Sequence, residues 1–270
     1  MSILRSIQIR TENLIKGSLK EKLVFVHVPK CGGNSIAAAI HDRYKTFSPR
    51  GTPGLVNIDA AASLKATEIL FGSDPFEDDY VNVLRIRELL LIYFLNMKET
   101  RMVSGHMPFS GLAYDKHKDD YAFVTILRDP VKRWISAFFY NKYREASKWK
   151  IGDDLTNYVE SKRGRANGYE YVKKLFGSVA PGIDFTSDAA IDTAKQNLAK
   201  FDVLGVLEDT QGFKKKFKDR FDVELSIGQK NTGPKSSNYV KSFITKDMEE
   251  RIREICRPDL AIYQHAIDNF

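Results

Sequence analysis

The sequence has few cysteines and no long apolar segment. Its 270 residues include two cysteines, Cys31 and Cys256, which are too few for a disulfide framework, so we expect a reducing compartment. The longest apolar run, residues 89–95, is far shorter than the roughly 20 residues of a membrane-spanning helix. Residues 1–22 alternate apolar and charged side chains and lack the apolar centre of a signal peptide. These absences predict a cytoplasmic protein without a transmembrane segment.

Two further absences concern chemistry and organisation. No group of His, Cys, Asp and Glu residues has the spacing of metal ligands, so we expect no bound metal. There is no internal repeat, no low-complexity tract and no recognised nucleic-acid-binding module, although the formal charge of +7 suits an anionic partner. The charge alone equally fits an anionic ligand, nucleic acid, an acidic surface or simply a soluble surface. We expect a single domain over residues 1–270 and, with no such module visible, no nucleic-acid partner.

The most informative stretch is residues 23–40, whose pattern predicts a strand, a glycine turn and a helix. Residues 23–28 are mostly β-branched or aromatic and indicate a buried parallel strand, whereas Ile36 and Ile40 are spaced as on a helix. A turn of this kind directs backbone N–H groups and a helix N-terminus at an anion. We predict a phosphate- or sulfate-binding loop, with a purely structural turn as the alternative. The turn consists of Pro29, Lys30, Cys31, Gly32, Gly33, Asn34 and Ser35.

A second candidate lies directly after a short predicted strand, residues 102–104. There His106 follows a glycine and precedes Pro108, which ends the strand. Open α/β sheets bind ligands at the carboxyl ends of their strands, so His106 is a candidate functional residue, although a lone histidine is often structural. We interpret His27, which lies inside the first strand, as structural.

A third candidate follows residues 122–127, which predict another buried strand. Asp129 suits a helix N-cap and Pro130 suits the first helical position. Arg128, at the end of the strand, could clamp a phosphate through its guanidinium or could simply pair with Asp129. Ser136 could donate to the same anion or lie on the surface.

The remaining segments predict fewer functional features. Residues 83–97 have a helical pattern, and residues 201–207 indicate one more buried strand. Residues 162–165, Lys-Arg-Gly-Arg, are interpreted as a solvated loop, with contact to an acidic acceptor as the alternative. Residues 226–239 have the composition of a loop, in which Lys230 and Asn231 could bind an anion or a base edge.

Three segments in this order resemble the sulfotransferases that use 3′-phosphoadenosine 5′-phosphosulfate (PAPS). They are FVHVPKCGGNSI, VSGHMPF and VTILRDPVKRWISAFF, and they are most similar to the branch that contains heparan sulfate 2-O-sulfotransferase. The first loop of that family commonly reads PK-T-[AG]-[GS]-T-S, so Cys31 and Asn34 replace its two threonines here. The resemblance does not extend to residues 45–100 and 145–195, which we expect to be variable segments that contact the acceptor.

The resemblance implies a fold and a set of roles. It implies a three-layer α/β fold, in which helices flank a mostly parallel central sheet with a P-loop-like nucleotide-binding core. The loop of residues 30–35 would hold the 5′ side of PAPS, with Lys30 near the bridging oxygen. Arg128 and Ser136 match residues that bind the 3′-phosphate, and His106 matches the general base. Lys230 and Asn231 would contact the nucleotide. The acceptor hydroxyl would belong to a saccharide, with a lipid, a small metabolite or a peptidyl tyrosine as alternatives.

Two other classes of function stay open at this point. A nucleotide kinase or other P-loop NTPase would have the pattern G-x-x-x-x-G-K-[ST], whereas here Lys30 precedes the glycines and no Mg²⁺-binding aspartate is obvious. A non-enzymatic polyanion-binding protein would use the positive charge alone, and its binding would depend mainly on salt.

Overall fold

The computed structural model describes residue 11 and residues 16–44, 54–72, 80–145, 148–228 and 237–270. Its centre is a five-stranded sheet whose strands are β1 (Lys22–Val26), β2 (Leu55–Ile58), β3 (Met102–Gly105), β4 (Tyr121–Leu127) and β5 (Val203–Val206). The strands pair in the order β2-β3-β1-β4-β5, and every pairing is parallel. The α/β fold class is therefore confirmed.

Helices cover the sheet because each crossover between parallel strands needs a long connection. They are α1 (Gly33–Tyr44), α2 (Ala60–Phe71), α3 (Tyr80–Leu95), α4 (Gly111–His117), α5 (Pro130–Lys142), α6 (Leu155–Glu160), α7 (Lys162–Ala166), α8 (Glu170–Leu175), α9 (Asp188–Leu198), α10 (Thr210–Phe221), α11 (Ser237–Phe243), α12 (Lys246–Ile255) and α13 (Arg257–Asn269). None of the helices in the described ranges is long and apolar enough to cross a membrane.

The central strands are buried on both faces. All seven residues of β4 are buried, as are four of the five in β1. A strand covered by helices on both sides has a continuous apolar sequence, which is why its position could be predicted. The edge strand β2 was missed because it has four residues of mixed polarity, and just one of them is buried.

Two helix starts have capping hydrogen bonds, and the first of them was predicted from the sequence. The Asp129 side chain accepts from the Lys132 N–H at 2.8 Å, and Pro130 is the first residue of α5. The Thr245 hydroxyl accepts from the Met248 N–H at 3.2 Å before α12. Each cap satisfies one of the N–H groups that have no partner inside their helix.

One prediction for the remaining segments is wrong. Residues 162–165 form most of α7 instead of a solvated loop. Gly164 is buried there, its carbonyl oxygen accepts from Trp134 Nε1 at 2.8 Å, and an added Cβ would lie 1.8 Å from the Tyr158 carbonyl oxygen. The glycine therefore permits close packing, which its basic neighbours concealed in the sequence.

The register of the sheet brings three predicted segments to one edge. Val26 of β1 lies opposite Gly105 of β3 and Thr125 of β4. Because the strands are parallel, the turn of residues 29–35, His106 and Arg128 all follow at the same carboxyl edge. The fold thus places the three candidate segments at one site.

Candidate active site

A cleft of about 1130 Å³ opens at this carboxyl edge of the sheet. Cys31 is not among its lining residues, and Lys230 and Asn231 lie outside the described residues. The other predicted site residues all line the cleft: Lys30, Gly32, Gly33, Asn34, Ser35, His106, Arg128 and Ser136.

The loop between β1 and α1 has the geometry of an anion-binding turn. Lys30 and Gly32 have φ angles of 69° and 75°, in the left-handed region, so the chain reverses tightly before α1 begins at Gly33. A Cβ on Gly33 would lie 1.9 Å from Cδ2 of His27, so only glycine fits between the loop and that ring. In the first turn of α1 the N–H groups of Ser35 and Ile36 donate to the carbonyl oxygen of Gly32 at 3.1 and 3.4 Å, so the N–H groups of Gly33 and Asn34 are the ones that can bind an anion.

Cys31 points away from the cleft. Its side chain is fully buried, and its sulfur lies 3.5 Å from the hydroxyl of Tyr171. Burial raises the pKa of the Cys31 thiol to about 12, so the thiol remains protonated at neutral pH. Of the two residues that depart from the resembled loop pattern, Cys31 therefore lies in the core, whereas Asn34 lines the cleft.

Lys30 lies against an aromatic ring and near two other cations. Its Nζ is 3.5 Å from the centroid of the Tyr140 ring. Burial, followed by the charges of Arg128 and Arg144, lowers the pKa of Lys30 to about 8. An anion bound in the loop would stabilise the charged ammonium, because it offsets both the desolvation and the neighbouring positive charges.

Arg128 is bonded to the same loop. Its Nη1 donates to the carbonyl oxygen of Lys30 at 3.1 Å, while Asp129 caps α5. The Tyr171 hydroxyl accepts from the Arg128 N–H at 2.9 Å and donates to the Arg128 carbonyl, so the backbone of Arg128 is held on both sides. Ser136 is half-buried and lines the cleft two turns into α5.

His106 is half-buried beside the loop, with a defined ring orientation. Its Nδ1 lies 2.8 Å from the carbonyl oxygen of His27. Because a carbonyl can only accept, Nδ1 carries the proton and Nε2 keeps its lone pair. Burial lowers the pKa of His106 to about 3, although the hydrogen bond to the His27 carbonyl raises it. The positive charges of Lys174, Arg87 and Lys30 lower this pKa further. The ring is therefore neutral at physiological pH and can accept a proton.

His27 contributes more to this site than its sequence position indicated. The ring is buried, as a structural role requires, but it also lines the cleft and lies 4.3 Å from the His106 ring between centroids. Burial and the neighbouring His106 lower the pKa of His27 well below its ordinary value. Its place directly before the glycine turn was the one sequence signal of this role.

The opposite wall of the cleft comes from segments that no motif had identified. Lys173 and Glu170 of α8 form an ion pair of 2.9 Å, and both side chains are nearly buried. The Lys173 ammonium lies 5.2 Å from the Tyr80 ring centroid and 5.1 Å from that of Tyr169. Although burial alone raises the pKa of Glu170, nearby cations, chiefly Lys173, hold it at about 2. This wall therefore presents an ionised carboxylate, an ammonium and two aromatic rings.

Comparisons with known proteins identify the family. Residues 16–266 match the family model described as "Sulfotransferase family". A sulfotransferase from Alicyclobacillus acidocaldarius is structurally similar with a TM-score of 0.43 and 14% identity, over 93% of this chain and 98% of that one. A chain from the PezAT toxin-antitoxin system of Streptococcus pneumoniae has a TM-score of 0.36 and 12% identity, over 94% and 98%. No curated protein sequence matches.

The structural similarities are too low to carry an argument about activity. The family model, in contrast, spans nearly the whole chain and includes all three segments at the carboxyl edge of the sheet. This chain therefore belongs to the sulfotransferase family.

Proposed function

We propose that this protein transfers the sulfuryl group of PAPS to a saccharide hydroxyl, with His106 as the general base. One observation carries the proposal. The bond between His106 Nδ1 and the His27 carbonyl leaves Nε2 unprotonated, in the same cleft as the anion-binding loop. A neutral imidazole beside an anion site is what proton removal from an acceptor hydroxyl requires.

The donor would occupy two connected parts of the cleft. The loop of residues 30–35 would hold the 5′-phosphosulfate through the Lys30 ammonium and through those N–H groups that do not already donate to the carbonyls of Val28 and Gly32. Arg128 and Ser136 would bind the 3′-phosphate, and the bond from Arg128 to the Lys30 carbonyl fixes the distance between the two subsites. Cys31 would contribute through its backbone, because its side chain is buried in the core. Lys230 and Asn231 complete the proposed nucleotide contacts.

The reaction then needs one proton transfer and one displacement. The acceptor oxygen attacks sulfur and forms a new S–O bond while its proton moves to His106 Nε2. The bond between sulfur and the bridging oxygen breaks, and its electron pair stays on the 5′-phosphate of the product, 3′-phosphoadenosine 5′-phosphate (PAP). Lys30 and the loop N–H groups stabilise the charge that grows on that oxygen. In-line placement of the reactants supplies much of the remaining acceleration.

A saccharide acceptor is supported by the chemistry of the opposite wall. The Glu170 carboxylate can accept hydrogen bonds from hydroxyl groups, and the Lys173 ammonium can donate to oxygens. Tyr80 and Tyr169 add aromatic faces on which the apolar side of a sugar ring can pack. These residues lie in the variable segments 45–100 and 145–195, as expected for acceptor contacts. The sequence resemblance to the heparan sulfate 2-O-sulfotransferase branch also favours a saccharide.

An acceptor screen with sulfate-labelled PAPS tests the proposal. Purified protein is incubated with oligosaccharides, glycolipids and phenols, and transfer is read as labelled product together with release of PAP. We expect labelling of an oligosaccharide, and loss of that labelling in the variant His106→Ala. Labelling of phenols alone would overturn the saccharide acceptor. Magnesium-dependent ATP turnover without sulfuryl transfer would indicate a nucleotide kinase or NTPase, and binding controlled by salt alone would indicate a polyanion-binding protein.

A further inference from the structure

Two buried cations converge on the backbone carbonyl of His106. Lys174 Nζ of α8 donates to this oxygen at 2.6 Å, and Arg87 Nη1 of α3 donates at 3.1 Å. The two side chains are 0% and 1% exposed. They approach from different helices, so the chain directly after β3 is held from two sides.

The partners of Lys174 are unusual for a buried cation. Burial, together with the charge of Arg87, lowers the pKa of Lys174 well below its ordinary value. Glu170, the carboxylate that acts electrostatically on Lys174, forms its ion pair with Lys173 instead. Within the described ranges, the His106 carbonyl is the hydrogen-bond acceptor that Lys174 Nζ reaches. Burying an ammonium without a carboxylate partner costs free energy, so stability alone gives a poor reason for this lysine.

Arg87 anchors the same point to the acceptor side of the cleft. Besides the His106 carbonyl, its guanidinium donates to the Tyr80 hydroxyl at 3.1 Å and to the Ser63 hydroxyl at 2.9 Å. Tyr80 lines the wall where we place the acceptor. Arg87 therefore connects that wall to the backbone of the proposed base through two hydrogen bonds.

We propose that Arg87 and Lys174 are positioning residues that hold the His106 backbone, so that the imidazole keeps Nδ1 on the His27 carbonyl and Nε2 available to the acceptor. This inference rests on the proposed role of His106 as the base. Lys174 does not line the cleft, and Arg87 lines it with a side chain that is 1% exposed and bonded to the His106 carbonyl. They act through His106, whose ring orientation depends on where the chain after β3 is held.

Their charges add a second effect on the same histidine. The charged or titratable groups that face His106 are Lys174 from α8, Arg87 from α3, Lys30 from the loop and His27 from the end of β1. The Arg87 guanidinium is always charged, whereas Lys174, whose pKa is lowered by burial, adds its charge in the acidic range where its amine is protonated. Each positive charge disfavours imidazolium, so the base stays neutral. Removal of one such charge should raise the pKa of His106 and move the acidic limb of the activity profile to higher pH.

Three substitutions of Lys174 separate the hydrogen bond from the charge. Lys174→Met removes both, Lys174→Gln removes the charge but keeps a donor, and Lys174→Arg keeps both. We expect kcat to fall roughly 10- to 100-fold in the Met variant, because small misplacements of a catalytic group have effects of this size. The Gln and Arg variants should recover part of this loss. PAP affinity should change less than about threefold in all three variants, since none of them removes a residue that is proposed to bind PAPS.

The matched control, Asn197→Ala, removes hydrogen bonds to the end of the same helix and leaves Lys174 unchanged. Asn197 Nδ2 donates to the carbonyl oxygens of Leu175 and Phe176 at the end of α8, at 2.8 and 2.9 Å. Asn197→Ala should lower the melting temperature but leave the pH profile unchanged. In contrast, the acidic limb of kcat/KM should move to higher pH in the Met and Gln variants and should not move in the Arg variant.

A spectroscopic measurement tests the inference independently of activity. The ¹⁵N shifts of the His106 ring, assigned by comparison with His106→Asn, should report the Nδ1–H tautomer in the native protein. In Lys174→Met they should shift toward mixed tautomers. An unchanged ring signal and pH profile in Lys174→Met would overturn the inference. If that variant does not fold, Lys174→Gln and Arg87→Lys are compared in the same way. Absence of sulfuryl transfer in the native protein would instead overturn the proposed function and leave the ring measurement valid.

Discussion

Nη1 of Arg128 lies 3.1 Å from the carbonyl oxygen of Lys30. The residue proposed to bind the 3′-phosphate is thus bonded to the loop proposed to hold the 5′-phosphosulfate. The two residues are 98 positions apart in the sequence, and parallel pairing of β1 with β4 brings them together. Binding at one subsite should therefore depend on the geometry of the other.

Replacement of Arg128 should weaken binding of PAP. Hydrogen bonds to charged groups contribute about 1.5–3 kcal/mol, so Arg128→Ala should raise the Kd roughly 10- to 100-fold by calorimetry. Arg165→Ala is the matched control, because Arg165 is exposed, pairs with Glu160 and does not line the cleft. Equal PAP affinity in the two variants would contradict the role of Arg128 as a 3′-phosphate ligand.

Replacement of His106 should separate turnover from binding. General-base catalysis contributes about 10²–10⁴-fold, so His106→Ala should lose activity on this scale while its PAP affinity stays nearly constant. Steady-state kinetics and calorimetry on the same preparation provide both values. His117→Ala serves as the control, since His117 lies on α4 outside the cleft. If His106→Ala retains full turnover, another group removes the proton.

A single methyl group at Gly33 should disable the loop. In Gly33→Ala the new Cβ would lie 1.9 Å from Cδ2 of His27, so the ring or the loop must move. We expect weaker PAP binding and a lower melting temperature, with partial recovery in the double variant Gly33→Ala, His27→Ala. Gly152→Ala is the control, because a Cβ there meets no atom within 4 Å. Normal PAP binding by Gly33→Ala would show that the loop tolerates a displaced ring.

Acid should destabilise the fold through its buried histidines. The pKa of His106 is lowered to about 3 from its ordinary value of 6.5. Below pH 6.5 the histidine therefore binds a proton in the unfolded chain but not in the folded chain, and stability falls as the pH drops toward 3. Between pH 7.5 and pH 5 this one group should cost about 2 kcal/mol. The pKa of His27 is shifted in the same direction.

The variant His106→Asn isolates this contribution. Burial raises the pKa of Asp259 to about 7, so protonation of this carboxyl stabilises the fold as the pH falls. The pH dependence of stability in the native protein therefore combines the opposing contributions of Asp259 and His106. The difference in unfolding free energy between His106→Asn and native protein, measured by denaturant titration, should move by about 2 kcal/mol in favour of the variant from pH 7.5 to pH 5. A constant difference would show that His106 takes up its proton normally in the folded state.

The sequence alone was sufficient for four of the five strands and for placing three candidate segments at one edge of the sheet. Strands covered on both faces must be apolar throughout, so β1, β4 and β5 were recognisable from short apolar runs. The glycine turn, His106 and Arg128 each follow directly after a strand, and parallel topology places such positions at one edge. Local chemistry also determined the start of α5, because Asp129 and Pro130 suit a helix N-terminus wherever it packs.

Only the tertiary structure decided what surrounds those residues. Arg87 and Lys174 looked like ordinary helix cations, and their burial against the His106 carbonyl depends on how α3 and α8 pack. Cys31 stands within the anion-binding turn, yet its side chain enters the core because the turn is left-handed on both sides of it. Periodicity and motif spacing report contacts between near neighbours in the chain, whereas burial and charge environment are set by residues far away in sequence.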